Sequence, residues 1–167
     1  MNGPSTADET IDVVLVEDAE SDVAAARRTI GQLYPSVRLE HFASAEALLE
    51  ALDERSITEW RPRLFVTDVN LAGLTGIELA QRLKRSAWRG VPLVIMSGSA
   101  NDREVERCYE ISVAGYFVKP LGLDELRRTW SVIGEYWLNL AEWPTTIGEA
   151  GGPADRAAAA PQEEEDG

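Results

Sequence analysis

The stretch from Leu64 to Asn70 constrains the fold of this chain most. It begins with a short apolar, β-branched run and stops at a carboxylate, Asp68, which is followed by the loop-forming residues Asn70 and Gly73. Such a run is typical of a strand that is buried on both faces of a parallel sheet. Ligands of open α/β sheets bind where the carboxyl ends of strands meet loops of this kind. Asp68 is therefore either a site residue or a turn residue that caps the next helix.

Strand and helix patterns alternate along the sequence. Five apolar runs predict strands, and each is followed by a segment with apolar residues at helical spacing; the runs are Ile11–Val16, Val37–Phe42, Leu64–Thr67, Leu93–Met96 and Gly115–Val118. Short connections between such units imply right-handed crossovers and helices on both faces of a sheet. We therefore predict an α/β fold with a five-stranded parallel, doubly wound sheet of the flavodoxin-like type, strand order 2-1-3-4-5, and five helices of which the last is extended.

Polar residues mark the predicted helix starts. Ser21 and Ser44 are predicted N-caps, because a hydroxyl at this position accepts a backbone N–H of the first turn. Asn101 or Asp102 is predicted to begin a charged helix that ends near Ile111.

The last predicted helix is more apolar than a single contact with the sheet requires. Its apolar residues lie three and four apart from Leu123 to Leu140, and a second set widens the apolar surface, namely Val132, Tyr136 and Trp143. One stripe must cover the sheet, so the second is predicted to contact another partner. Pro144 is predicted to end the helix.

Composition divides the chain into three parts. Residues 1–10 are polar and are predicted to form a flexible arm, and residues 11–143 suit one globular domain. Residues 144–167 are rich in Gly, Ala, Pro and acidic residues, a composition that predicts a disordered acidic tail.

Charge and cysteine content limit the classes of partner. The formal net charge of −13 argues against binding to nucleic acid, whose affinity for proteins comes largely from Lys and Arg. Cys108 is the only cysteine, so no intrachain disulfide can form. The first residues lack a signal-peptide pattern, and no apolar run approaches the roughly 20 residues of a membrane helix. We expect a soluble, cytoplasmic protein that binds neither nucleic acid nor a membrane.

The side chains that follow the predicted strands suggest one chemistry. Glu17 and Asp18 follow the first strand, Asp68 the third, Ser97 the fourth and Lys119 the fifth. Three carboxylates in one crevice repel one another, so they need a bound cation or a raised pKa, and Mg²⁺ is the simplest hard ion for oxygen ligands. The amine and the hydroxyl suit a phosphoryl group. The sequence therefore predicts a phosphoryl-accepting carboxylate with metal assistance.

Four motifs at these strand ends resemble the receiver domain of two-component response regulators, over about residues 11 to 140. They are Val14-Leu15-Val16-Glu17-Asp18, then Thr67-Asp68-Val69-Asn70 with Gly76 eight residues after the aspartate, then Ile95-Met96-Ser97-Gly98, then Gly115-Tyr116-Phe117-Val118-Lys119-Pro120. The resemblance implies a single-domain response regulator that accepts a phosphoryl group from a histidine kinase and then changes its protein contacts. It implies no enzymatic turnover beyond gain and loss of its own phosphoryl group.

The resemblance also assigns roles at the acid pocket. Asp68 is implied to be the phosphoacceptor. Asp18, Asp68 and the backbone carbonyl of Asn70 are implied to bind Mg²⁺, with Glu17 completing the acid pocket.

A second group of residues is implied to sense the phosphoryl group. Ser97 and Lys119 take the phosphate-sensing positions, and Tyr116 is the aromatic residue whose rotamer reports phosphorylation. The Lys119–Pro120 bond is expected to be cis. Ala72 stands where many receivers have proline, which implies a change in loop stiffness.

A narrower resemblance lies at the two ends of the domain. The stretch Val16–Asp22 and the closing Tyr136-Trp137-Leu138 with Trp143-Pro144 are similar to single-domain regulators that work beside bacterial phytochrome histidine kinases. This implies a phytochrome-type sensor kinase as partner. It also implies a homodimer through the last helix, with Trp130, Tyr136 and Trp137 as contact residues.

Other interpretations of these residues remain open. Taken alone, Lys119 is a typical surface lysine, Ser97 a turn residue and Tyr116 a half-buried strand aromatic, while His41 is expected to be structural. An aspartyl-nucleophile phosphatase of the haloacid dehalogenase type is one alternative function, but it usually needs a second acid where this chain has Asn70. A dimeric adaptor with vestigial phosphorylation is the other.

Overall fold

The structure of the protein is a computed structural model that describes residues 12–142. The predicted arm and acidic tail, together with Ile11 and Trp143, lie outside the described residues.

Five parallel strands form the sheet in the predicted order. They are β1 (Val13–Val16), β2 (Leu39–Phe42), β3 (Leu64–Thr67), β4 (Leu93–Ser97) and β5 (Gly115–Val118), and their order in the sheet is β2-β1-β3-β4-β5. All residues of β1, β3 and β4 are buried, whereas the edge strands β2 and β5 contain no fully buried residue. The flavodoxin-like parallel sheet is thus confirmed, with the two least buried strands at its edges.

Five α-helices follow the strands as predicted. They are α1 (Glu20–Leu33), α2 (Ala45–Asp53), α3 (Gly76–Lys84), α4 (Asp102–Glu110) and α5 (Leu123–Gly134). A 3₁₀ turn covers Ala87–Gly90, and a π-helical turn, Glu135–Leu140, continues α5. None of the helices in residues 12–142 is both long enough and apolar enough to cross a membrane.

Side-chain caps begin three of the helices. The Ser44 hydroxyl accepts the backbone N–H of Ala47 at 3.1 Å, as predicted for α2, and Asn101 caps α4. Thr75 and Glu78 form a reciprocal capping box at the start of α3.

The predicted cap of α1 is wrong. Ser21 lies inside this helix, and Ala19 is the residue that precedes its first turn, without a side-chain cap. The physical reason lies in Glu17, whose Oε1 accepts the backbone N–H of Ala19 at 3.1 Å and turns the chain before Ser21 is reached.

The helices cover the sheet in two layers with separate cores. Alternate strand residues such as Val14, Val16 and Phe65 pack with α2, α3 and α4 on one face. The intervening residues, such as Leu15 and Val66, pack with α1 and α5 on the other. This alternation follows from strand geometry, in which successive side chains point to opposite faces.

The end of α5 is fixed by the end of α1. The Tyr34 hydroxyl donates to the carbonyl oxygen of Ser131 at 2.9 Å, and the Tyr34 ring lies against Gly134. Beyond Gly134 the helix widens into the π-helical turn, where the backbone N–H of Ala141 donates to the carbonyl of Tyr136 at 2.8 Å.

The predicted dimer residues of the last helix do not share one face. Trp130 is only 2% exposed and belongs to the core between α5 and the sheet, so its assignment as a dimer contact is wrong. Trp137 also packs on this core, and Tyr136 meets its ring edge to face at a centroid distance of 4.7 Å. The large exposed apolar side chains of α5 and its π-helical continuation are Leu123, Val132, Tyr136 and Leu140.

Candidate functional site

The carboxyl ends of β1, β3 and β5 bring two buried carboxylates to one ammonium group. The Lys119 Nζ lies 2.6 Å from Glu17 Oε2 and 2.7 Å from Asp68 Oδ2. Both carboxylates are buried because the strands that carry them are covered on both faces. The structure therefore joins residues 17, 68 and 119 as the sequence predicted.

A third carboxylate on the ammonium was not predicted as a site residue. Asp22, in the first turn of α1, places its Oδ2 2.8 Å from Lys119 Nζ. The misplaced start of α1 hid this contact, since the direction of Asp22 depends on where the helix begins. An acidic residue in the first helical turn after an acidic strand end is the sequence signal that would have indicated it.

The backbone around Asp68 fixes the direction of its carboxylate. Its own N–H donates to the Val16 carbonyl at 3.3 Å, and its Oδ1 accepts the backbone N–H of Asn70 at 3.1 Å. Gly76 packs directly on the Asp68 carbonyl, and a Cβ atom at position 76 would overlap that oxygen. The glycine eight residues after the aspartate is therefore required by a close backbone approach, not by an unusual φ angle.

The loop after β3 binds Asp18, the predicted metal ligand that follows Glu17. The backbone N–H of Ala72 donates to Asp18 Oδ2 at 3.1 Å, a bond that proline at this position could not make. Glu46 of α2 accepts the N–H of Leu74 at 2.7 Å, and Gly73 adopts the left-handed region with φ of 83°. Ala72, at the position where many receivers have proline, thus supplies a hydrogen bond to Asp18; the change in loop stiffness stays a prediction.

The predicted switch residues lie on the two strands that follow β3 in the sheet, Ser97 at the end of β4 and Tyr116 in β5. Ser97 is fully buried at the end of β4, and the Asn70 side-chain amide lies 3.5 Å from its hydroxyl. The Tyr116 hydroxyl donates to the carbonyl of Ser99 at 2.7 Å, so its half-buried ring is tied to the loop after β4.

His41 supports the acid pocket through the backbone. Its Nε2 lies 2.8 Å from the carbonyl oxygen of Glu17, and because a carbonyl only accepts, this nitrogen must carry the proton. The contact agrees with the structural role expected for His41.

Burial and the Lys119 ammonium shift the pKa values of the carboxylates in opposite directions. Burial by itself raises the pKa of Asp68, but the hydrogen bonds from Lys119 and the Asn70 amide outweigh it and leave that pKa below its ordinary value. For Glu17 burial prevails over the Lys119 hydrogen bond, and its pKa is raised. Burial lowers the pKa of Lys119, but the three carboxylates more than reverse this and raise it above its ordinary value. Asp68 is therefore ionised at neutral pH beside a permanently charged ammonium.

The predicted metal ligands fit a hard cation by their chemistry. Glu17, Asp18 and Asp68 supply carboxylate oxygens and Asn70 a carbonyl oxygen, which are the ligands that Mg²⁺ prefers. The cluster also carries more negative charge than one ammonium balances. However, no three His, Cys, Asp or Glu side chains in residues 12–142 are grouped as at a metal centre. Asp18 instead accepts the backbone N–H of Ala72.

The Lys119–Pro120 bond differs from the expectation. No peptide bond in residues 12–142 is cis, so the predicted cis isomer is wrong. The trans form is favoured by about 0.5–1 kcal/mol for a bond that precedes proline, and Lys119 reaches all three carboxylates from it.

A cavity opens beside the ammonium between α1, α5 and the loop after β5. Its volume is about 360 Å³, and charged groups line one end while apolar side chains such as Ala26, Leu126 and Trp130 line the rest. The charged end of this cavity presents an ionised carboxylate and a cation, and the buried Ser97 hydroxyl lies at the end of the neighbouring strand. Such a set can accept an electrophilic anionic group on Asp68 and balance its charge.

Comparisons with a family model and with known proteins point to the same family. The family model for the "Response regulator receiver domain" matches residues 13–130. The probable methanogenesis regulatory protein FilR2 of Methanothrix harundinacea is 31% identical over 144 residues, which are 83% of this chain and 88% of that protein. Response regulator Rcp1 of Synechocystis is 27% identical over 136 residues, which are 79% of this chain and 92% of that protein.

Solved structures share the fold. The phosphorylated cyanobacterial phytochrome response regulator RcpA matches with a TM-score of 0.74 and 23% identity, covering 81% of this chain and 99% of that chain. The Mn²⁺-bound form of response regulator Rcp1 matches with a TM-score of 0.72 and 24% identity, covering 80% and 99%. At these identities the likeness establishes the shared parallel-sheet fold.

Proposed function

Because the chain belongs to the response regulator receiver domain family of two-component signalling, we propose that it accepts a phosphoryl group on Asp68 and thereby changes its contacts with other proteins. The observation that carries this proposal is the ionised Asp68 carboxylate held 2.7 Å from Lys119 at the end of a buried strand. A carboxylate in this state is a nucleophile, and its charge partner is already in place.

The proposed donor is the phosphohistidine of a histidine kinase. An Asp68 oxygen attacks the phosphorus, the P–O bond forms as the P–N bond breaks, and the imidazole leaves with the electron pair of that bond. Lys119 balances charge on the phosphoryl oxygens. A Mg²⁺ ion, held by Asp18, Asp68 and the Asn70 carbonyl with Glu17 completing the acid pocket, would supply further positive charge to these oxygens.

The proposed response to phosphorylation involves Ser97 and Tyr116. Ser97 carries a buried hydroxyl near Asn70, and the Tyr116 hydroxyl is tied to the loop that follows Ser97. A phosphoryl group on Asp68 offers the Ser97 hydroxyl a strong acceptor, which would draw this loop inward and change the surface around Tyr116.

We further propose a phytochrome-type sensor kinase as the donor and a cytoplasmic location. The support is the similarity to Rcp1 and the fold shared with the phytochrome response regulator RcpA. The phosphatase alternative is weakened by Asn70, which occupies the position where such enzymes carry their second acid.

We also propose a homodimer, through the exposed stripe Val132, Tyr136 and Leu140. These residues are four apart on one side of the last helix and are all more than half exposed. Tyr136→Ser should lower the sedimentation coefficient at micromolar concentration, whereas Tyr109→Ser, which removes a similarly exposed tyrosine from α4, should not. A monomeric wild type would refute the dimer and with it the adaptor alternative.

Labelling tests the main proposal. Wild type and Asp53→Asn, which changes an exposed aspartate of α2, should be phosphorylated by acetyl phosphate in the presence of Mg²⁺, and hydroxylamine should remove the label as expected for an acyl phosphate. Asp68→Asn should stay unlabelled, although its circular dichroism spectrum should match that of wild type and its unfolding should remain cooperative. Equal labelling of Asp68→Asn and wild type would refute the proposal.

A further inference from the structure

All three N–H groups of the Lys119 ammonium are in use. They point to Glu17, Asp22 and Asp68 at 2.6, 2.8 and 2.7 Å, respectively. Lysine has three donors and no acceptor, so this ammonium has no spare N–H for a further anion.

The three carboxylates are not equivalent. The side chains of Glu17 and Asp68 are 4% and 10% exposed, whereas that of Asp22 is 44% exposed. A buried carboxylate that loses its counter-ion is strongly destabilising, while an exposed one is solvated at little cost. The bond to Asp22 is therefore the one that Lys119 can exchange.

We propose that Asp22 is a positioning residue that holds Lys119 in the unphosphorylated protein and competes with a phosphoryl group on Asp68 for this ammonium. The inference rests on the proposed function. A phosphoryl group brings about −1.5 to −2 charges and three acceptor oxygens to the tip of Asp68. Lys119 can bind more of these oxygens only by leaving a present partner, and Asp22 is the partner that water can replace.

Charge repulsion acts in the same direction as the competition. The Asp22 carboxylate stays close to the added phosphoryl charge, so it disfavours the phosphorylated state even before any bond is exchanged. The Lys119–Asp22 contact also links the strand ends to α1. Its loss would transmit the chemical state of Asp68 to the surface of that helix.

Beryllofluoride, which stands in for the phosphoryl group on an aspartate, provides the test. In the presence of Mg²⁺, Asp22→Ala should bind beryllofluoride about twofold to fivefold more tightly than wild type, the range that a partly exposed ion pair contributes. Asp22→Asn keeps an acceptor oxygen without the charge and should fall between the two. Binding can be followed by ¹⁹F NMR.

Glu20→Gln is the matched control. Glu20 is an exposed acid in the same first turn of α1, and no contact between it and Lys119 occurs among the described residues. Its substitution removes the same charge from the helix start, so its affinity for beryllofluoride should equal that of wild type. Equal affinities for Asp22→Ala and Glu20→Gln would overturn the inference.

A second measurement separates the inference from the proposed function. In urea unfolding without Mg²⁺ or beryllofluoride, a double-mutant cycle of Asp22→Asn with Lys119→Met should show coupling, whereas the cycle of Glu20→Gln with Lys119→Met should not. Absence of coupling would overturn the positioning role alone. If the cycle shows coupling but the wild-type protein does not bind beryllofluoride, the proposed function and the competition are both overturned.

Discussion

The ring of Tyr34, at the end of α1, lies against the backbone of Gly134 near the end of α5. Its hydroxyl donates to the Ser131 carbonyl at 2.9 Å, so one side chain joins the two helices by packing and by a hydrogen bond. The contact lies near the amino-terminal ends of the strands, and Asp68 lies at their carboxyl ends. It leaves no room for a Cβ atom at position 134.

Gly134→Ala should therefore destabilise the protein. Its Cβ would overlap the Tyr34 ring, and overpacking of this kind costs about 1–3 kcal/mol in the free energy of unfolding. Urea unfolding monitored by circular dichroism would measure the loss. Gly31→Ala is the control, because a Cβ there meets no atom within 4 Å; it should stabilise α1 by about 0.5–1 kcal/mol. The same response from both variants would contradict the packing account.

Gly76→Ala should move Asp68, the proposed phosphoacceptor. The new Cβ would overlap the Asp68 carbonyl, so the backbone that carries the nucleophile must shift. We expect at least tenfold slower labelling by acetyl phosphate, since an error of about 1 Å in a reacting group costs up to 100-fold in rate. Gly98→Ala, where a Cβ has open space, should label at the wild-type rate. Unchanged labelling of Gly76→Ala would show that the close approach does not position Asp68.

Lys119→Met should make stability depend on pH. Without the ammonium, Asp68 and Glu17 keep the burial that raises their pKa values and lose the Lys119 hydrogen bond that opposes it most. Only weaker bonds such as the Asn70 and Ala19 backbone N–H groups still lower the two pKa values, so both should rise, and ionised carboxylates without a counter-ion should oppose folding. In the wild type the lowered pKa of Asp68 adds stability above pH 4, and this stability is lost as the pH falls through that pKa. The variant should lose roughly 3 kcal/mol relative to wild type at pH 7 to 8 and recover part of it towards pH 5.

Unfolding midpoints in urea at several pH values would measure this difference. Lys84→Met is the control, because burial is what lowers the pKa of Lys84 and no ion pair involves it among residues 12–142. Its stability should follow the wild-type pH profile. A difference between wild type and Lys119→Met that stays constant from pH 5 to 8 would contradict the electrostatic account.

Ala72→Pro should strengthen Mg²⁺ binding. The substitution removes the N–H that binds Asp18 Oδ2 at 3.1 Å, so this carboxylate no longer has to give up that hydrogen bond in order to bind a metal ion. A hydrogen bond of this kind is worth about 0.5–1.5 kcal/mol, so the dissociation constant should fall roughly twofold to tenfold. Electron paramagnetic resonance of Mn²⁺ competed by Mg²⁺ would report it. Ala72→Gly retains the N–H and should bind as wild type does; weaker binding by Ala72→Pro would mean that the amide orients Asp18 for the metal.

The sequence predicted those parts of the fold that depend on local pattern. The runs that became β3 and β5 were predicted with their observed ends, because a short apolar run bounded by turn-forming residues marks a strand. Edge strand β2 begins two residues later than predicted, since pairing with β1, not composition, sets where it starts.

The features that the sequence did not predict correctly depend on contacts between elements and on the backbone, not on local pattern. Asp22 and Ser21 depend on where α1 begins, and that point is set by a side chain two residues earlier, Glu17. The bond between Ala72 and Asp18 uses a backbone N–H, which leaves no mark in a pattern of side chains. Trp130 was assigned to a surface because helical spacing alone does not say which apolar stripe meets the sheet.

Asp68 is connected by side-chain contacts to both helical layers around the sheet. Lys119 connects it to α1 through Asp22, on the layer shared with α5. The loop after Ser97 connects it to Tyr116 and the start of α4, on the opposite layer. Under the proposed function, the protein that donates the phosphoryl group and a protein that binds the phosphorylated form have different surfaces available and need not compete for one.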